Sequence, residues 1–192
     1  MTIAKGRSNN QVLIEDTIKA LELMLSDIPK YFKESENQRY LEIERLAIES
    51  SDGDNEIKSS ILHSLSSTLE DYDCIGFLYE ALVLASYSFY ERMLKKIVLS
   101  NSIELVLKNK RSKDKFYANT SIASIKRYIT ISTEIESMIE EMKLYYDKRN
   151  EIAHEKYDGV DKIKPSYIEE HLNKIKFILL EINSSVETKK QE

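Results

Sequence analysis

One stretch constrains the fold more than any other: CIGFLYEALVLASYSFYERMLKKIVLS, Cys74 to Ser100. It contains no proline, and its apolar residues recur at steps of three and four. On a helical wheel of about 100° per residue, Leu78, Leu82, Ala85, Phe89 and Met93 form one stripe. Leu84, Tyr87, Leu94 and Val98 form a second. A helix apolar on nearly all sides is expected to sit at the centre of a domain, with other elements packed round it.

The remaining segments also carry helical spacing, and no strand-like alternation is long enough to compete. With 4 Gly and 2 Pro in 192 residues, a turn-rich all-β fold is excluded. Val12 to Ile28 places Ile14, Ile18, Leu21, Leu25 and Ile28 on one face, and Pro29 should break or kink that helix. Tyr40 to Ser50 reads as a second helix with Leu41 and Ile48 inward. The turn SDGDN, Ser51 to Asn55, follows, with Asp54 as cap of a helix through Ile57, Ile61, Leu65 and Leu69. After the central helix, Ser102 to Leu107 suggests a short helix, Lys108 to Lys115 a loop, and Asn119 to Ile129 another short helix. Thr133 to about Tyr157 forms a long one, with Ile135, Ile139, Met142, Tyr146 and Ala153 on its inner face and Gly159 as its stop. Pro165 opens a last helix through Ile168, Leu172, Ile175, Ile178, Leu179 and Ile182, and residues 184–192 form a frayed tail. The expected architecture is all-α, an antiparallel helical bundle in a single domain of residues 1–192. Its core spans about 74–182, and extra N-terminal helices occupy 10–71.

Net charge is −5, so no global field draws the chain to nucleic acid or to an anionic membrane. A local exception is KNKRSKDK, where Lys108, Lys110, Arg111, Lys113 and Lys115 are candidate RNA contacts; the competing reading is a solvated loop. Cys74 is alone, which leaves no partner for a disulfide within the chain and no thiolate metal cluster. The first residues have no apolar signal core, and no apolar run reaches the roughly 18 residues needed to span a bilayer. The expected setting is the cytoplasm, without membrane attachment. There is no P-loop, no His-Glu-x-x-His and no paired-cysteine site, so no metal and no cofactor is expected.

Two charges stand out because they fall among apolar neighbours. In KRNEIAHEKYDG, Lys148 to Gly159, Arg149 lies between Met142, Tyr146 and Ala153 on the helical wheel. Asn150 and His154 lie one turn apart on its edge. A charge on a core face is costly unless paired. Glu91, set among Leu84, Tyr87, Leu94 and Val98, is the expected partner if the two helices pack side by side. Such a pair has two readings: a register lock, or part of a site. His154 likewise suits a helix C-terminus through the macrodipole alone. His63 and His171 read as surface or groove residues.

The segment RNEIAH resembles the Arg–x4–His signature of the HEPN superfamily, and LASYSFYERMLKKI resembles that family's buried helix with an inward glutamate. The resemblance covers about Cys74 to Ile182; the N-terminal helices match only in being helical. It implies a HEPN-type bundle that forms a homodimer whose paired motifs line one cleft and cut RNA without a metal. In size the chain is similar to stand-alone HEPN ribonucleases of toxin–antitoxin and phage-defence systems, which implies an antitoxin or regulatory protein as a possible partner. The residues carried over are Arg149, Asn150 and His154, with Glu91 as support. Members paired with a nucleotidyltransferase antitoxin carry a tyrosine two residues after the histidine. Here Lys156 holds that place and Tyr157 follows, on the packing side of the wheel.

These residue types suit the chemistry. Imidazole titrates near neutral pH and exchanges protons as acid or base. Guanidinium stays charged and forks onto phosphate oxygens. Asn150 is placed to orient the imidazole or donate to phosphate. Residues five apart on one helix point about 140° away from each other, so two facing copies enclose a phosphate better than one. The rival expectation is a non-catalytic HEPN-like module for dimerisation or for partner or nucleotide binding; a third is an unrelated helical adapter.

Overall fold

The computed structural model describes residues 7–51, 53–70, 74–106, 118–154 and 163–192. All regular structure among them is α-helical: α1 (Asn9–Ser50), α2 (Asn55–Glu70), α3 (Cys74–Ser100), α4 (Ala118–Tyr128), α5 (Thr133–Ala153) and α6 (Pro165–Lys189). The all-α class and the central place of α3 follow the sequence, since α3 packs on α1, α4, α5 and α6. The core is built from Leu82, Val83, Tyr87, Tyr90, Leu94, Ile97 and Val98 of α3. Ile14 and Ile18 of α1, Ile139 and Met142 of α5, and Ile168 to Val186 of α6 close round them. No helix among the described residues is long and apolar enough to cross a membrane.

Side-chain caps explain several helix ends. Ser8 Oγ accepts the Gln11 N–H at 3.2 Å to open α1, and Ser132 Oγ accepts the Ile135 N–H at 3.3 Å to open α5. Asp54 caps α2 as expected, with Oδ1 accepting from the Glu56 N–H at 2.8 Å and the Ile57 N–H at 3.2 Å. Gly53 takes φ +86°, a left-handed turn position that costs glycine little. Pro165 occupies the first turn of α6, where its missing N–H is not needed.

Helix directions follow from long-range contacts. Asn10 Nδ2 reaches Ser100 Oγ at 3.3 Å and Asn183 Oδ1 at 3.2 Å, so the start of α1 meets the ends of α3 and α6. Ser124 Oγ of α4 accepts the Val106 N–H, just past α3, at 2.9 Å. After α4, α5 therefore runs back antiparallel to α3, and Tyr146 meets Tyr87 with ring centroids 5.6 Å apart.

Several expectations are corrected. Pro29 does not end the first helix: α1 continues for 42 residues. The proline forfeits a ladder bond locally, while the turns before it are held by α3 and α6 and those beyond it by α2. Leu41 and Ile48 are exposed, and the residue turned inward there is Ala47. The segment after α3 is not helical, because Ser102 adopts φ 53° and the Ile103 N–H bonds back to the Val98 oxygen at 3.0 Å, a left-handed cap that ends the helix. On α5 the inner face carries Tyr145; Tyr146 and Ala153 are exposed. Residues 184–189 are not frayed, since Val186 is fully buried and α6 runs through Lys189. His171 is fully buried rather than at the surface, whereas His63 is exposed as expected. On α3, Ala85 is exposed although it belonged to a stripe expected to be buried. The side chains of Ile28, Leu65 and Leu69, and residues 155–162 with Gly159, lie outside the described ones.

Candidate functional site

The C-terminal end of α5 is anchored by aromatic packing. Tyr145 is buried against Tyr167 (centroids 5.0 Å apart) and against the His171 ring (4.1 Å). Tyr87 of α3 stacks nearly parallel to His171 from the other side, at 6.4 Å. His171 is neutral: burial, helped by the Lys174 charge, lowers its pKa to about 3. Neither of its ring nitrogens has a hydrogen-bond partner among the described residues. Lys174 spans Glu141 at 2.6 Å and Glu170 at 2.5 Å, tying α6 to α5.

Arg149 follows one turn after Tyr145 and is half-buried, as the wheel required. Its Nη1 donates to Asn150 Oδ1 at 2.9 Å. Its Nε is buried and meets no acceptor among the described residues. Glu91, on α3, is half-buried near enough for the two charges to act on each other. Burial raises the Glu91 carboxyl above the usual carboxylate range, while the Arg149 charge and a hydrogen bond from the Ala118 N–H pull it back. The expected Arg149–Glu91 pairing is thus a longer-range coupling, and no direct ion pair joins them. The acceptor capacity of Glu91 goes to the first N–H of α4, a position that favours a carboxylate. The consequence is chemical: the guanidinium keeps donor capacity that a tight ion pair would consume.

His154 is the C-cap of α5, at φ −108° and ψ 15°, with its N–H on the Asn150 oxygen at 3.0 Å. Its side chain is exposed. The helix ends at Ala153, and the His154 N–H closes its last turn.

Of the sequence candidates, Arg149, Asn150 and His154 are gathered at this helix end, with Glu91 behind them. Tyr157 and the cations Lys108, Lys110, Arg111, Lys113 and Lys115 lie outside the described residues. Sequence reading missed Tyr87 as a site neighbour, having treated it as packing alone. Its hydroxyl is raised above the ordinary phenol range by burial first and by Glu91 next, and Arg149 opposes the shift. It also missed a small cavity of about 80 Å³ between α3, α4 and α5, bounded by Tyr90, Glu91, Asn119, Met142 and Tyr146. The buried Tyr90 hydroxyl beside it has no partner among the described residues. A larger open groove of about 830 Å³, with Arg127, Thr130, Ser184 and Thr188 in its walls, lies at the opposite end of α5. Among the described residues no three His, Cys, Asp or Glu side chains converge as metal ligands.

The fold and site define an all-helical bundle with a cationic, amide-bearing helix end and an exposed imidazole. No protein-family model, curated protein or solved structure matches this chain.

Proposed function

We propose that this chain is a metal-independent endoribonuclease of HEPN type, acting as a homodimer in a toxin or defence role. The observation that carries the reading is the state of Arg149. It is a half-buried guanidinium with a buried Nε lacking an acceptor among the described residues, tied to Asn150 and set five residues before an exposed histidine. A half-buried guanidinium keeps its charge, and its terminal nitrogens, unlike the enclosed Nε, can fork onto phosphate oxygens.

In this reading the His154 imidazole takes the proton of a ribose 2′-hydroxyl as that oxygen attacks the adjacent phosphorus. The bond from phosphorus to the 5′ oxygen breaks, and an imidazolium, supplied by the second copy, returns a proton to that leaving oxygen. The products are a 2′,3′-cyclic phosphate and a 5′-hydroxyl. Arg149 stabilises the charge gathering on the phosphoryl oxygens, Asn150 holds the guanidinium in place, and Glu91 positions Arg149 through the field it exerts.

The net charge of −5 favours the second reading, a non-catalytic module for dimerisation or partner binding, because a nuclease gains from positive potential. Incubation of a mixed RNA pool with the full chain in EDTA separates the two. New 2′,3′-cyclic phosphate ends that vanish with His154→Ala support the nuclease. A folded, dimeric chain that leaves every RNA intact supports the module.

A further inference from the structure

The small cavity between α3, α4 and α5 lies beside Arg149, and the cleavage steps leave it unused. Exposed Asn119, Lys143 and Tyr146 form its mouth, and half-buried Glu91 stands in its wall with Met142. Tyr146 precedes Arg149 by three residues on α5, so the two share a helix face about 4.5 Å apart in height. Glu91 is near enough to act on the Arg149 charge. A phosphate held by Arg149 therefore has this cavity within reach of whatever group it carries.

The lining selects that group. Tyr146 offers a ring face to a flat heterocycle. Glu91 offers an acceptor: a carboxylate has about four lone-pair positions, and the Ala118 N–H takes one. Burial raises its carboxyl above the usual range, and a second donor would stabilise the charged form. Lys143 is paired with Glu140 of its own helix, so the mouth suits a neutral ligand. The volume is about 80 Å³, roughly half that of a cavity of about 150 Å³ that encloses benzene. A single six-membered ring entering edge-first fits, and a fused purine does not. Between the pyrimidines, a carboxylate accepts from the N4 amine of cytosine and repels the O4 acceptor at the same place on uracil.

We infer that this cavity reads the base on the 5′ side of the scissile phosphate and takes cytosine. The N4 amine donates to Glu91, the ring lies against Tyr146, and the Asn119 amide donates to O2. The inference deepens the nuclease reading and rests on it in placing the phosphate on Arg149. The 3′-phosphate of the bound cytidine is the one Arg149 holds, and its 2′-hydroxyl is the one His154 deprotonates.

The test is isothermal titration of the full chain with cytidine, uridine and adenosine 3′-monophosphates in EDTA, with unchanged far-ultraviolet circular dichroism required of each variant. Wild type should bind the cytidine nucleotide about tenfold or more tighter than the other two. Glu91→Gln should bring the cytidine and uridine affinities to within about threefold, since an amide can donate to O4 as well as accept from N4. A Glu91 that only positions Arg149 would leave the ratio unchanged. Tyr146→Leu should weaken both pyrimidine nucleotides by about tenfold and keep their ratio. Equal affinities in wild type, or no binding of any nucleotide at about 10 mM, overturn the inference without recourse to a variant; so does a Glu91→Gln protein that keeps the wild-type ratio. Mapping the cyclic-phosphate ends of cut RNA separates the two readings. Cytidine preference in binding with every RNA left intact faults the nuclease reading and leaves the pocket standing. Cleavage after all four bases alike leaves the nuclease reading standing and overturns the pocket.

Discussion

Replacing His171 with phenylalanine should remove a specific acid sensitivity. The imidazole is fully buried between Tyr87 of α3 and Tyr145 of α5, with Lys174 one turn away on its own helix. Its pKa in the folded state is lowered to about 3 by burial first and Lys174 second. In the unfolded chain it returns to about 6.5. The sign follows from which state holds the proton. Above about pH 6.5 both states are neutral and the group contributes no pH dependence. Below that value only the unfolded chain takes up the proton, so stability falls as pH drops, down to the folded value near 3. The slope approaches about 1.4 kcal/mol per pH unit, which amounts to about 2 kcal/mol between pH 7 and pH 5. Urea unfolding followed by circular dichroism, at both pH values, gives the free energies for wild type and His171→Phe. Titration of surface carboxylates is common to both proteins and cancels in the difference. The variant should gain about 2 kcal/mol on wild type between pH 7 and pH 5. His171→Leu should show the same gain from a lower starting stability, since a branched aliphatic side chain fits the flat slot between Tyr87 and Tyr145 poorly. Equal pH slopes in all three proteins would refute the reasoning, because they would mean that the ring stays accessible to protons in the folded state.

Two further changes probe the framework. Gly53→Ala should cost about 1 kcal/mol, because the added Cβ meets open space and only the left-handed φ of +86° penalises it; Gly53→Asn should cost less, and thermal melts rank the two. Asn183→Leu should cost about 1–3 kcal/mol in urea unfolding, since it removes the acceptor of Asn10 Nδ2 and the donor to Ser8 Oγ where α1 begins.

Much of the bundle is legible in the sequence because periodicity and caps agree. Helix α3 occupies Cys74–Ser100, the bounds its apolar spacing suggested, and α6 buries each of Ile168, Leu172, Ile175, Ile178, Leu179 and Ile182. The failures share a cause: tertiary contacts overrode a local rule. Pro29 weakens one turn, but packing on both sides keeps α1 continuous. The polar tail after Ile182 stays helical because Asn183 bonds to Asn10 and Ser8 at the far end of the chain, which no local window reveals. Tyr145 and Tyr146 are neighbours in sequence, and only the position of His171 decides which ring turns inward.

The site was legible as a list of residues and not as a geometry. Arg149 and Glu91 were visible as charges among apolar neighbours. That Glu91 would spend its hydrogen bond on the Ala118 N–H depends on where α4 begins, and nothing local to either charge encodes that. The wheel showed a helix apolar nearly all round, yet Phe77 and Leu99 of α3 are exposed among the described residues.

The most direct test of the proposed function is cleavage of a mixed RNA pool in EDTA by wild type, Arg149→Gln and His154→Ala, each matched for folding and self-association. Removal of an acid–base or charge-stabilising group should slow cleavage by about 10²–10³-fold in each variant. Wild type should yield cyclic-phosphate ends, and both variants should show a loss of that size. Cleavage at equal rates by all three proteins, or by none, would contradict it.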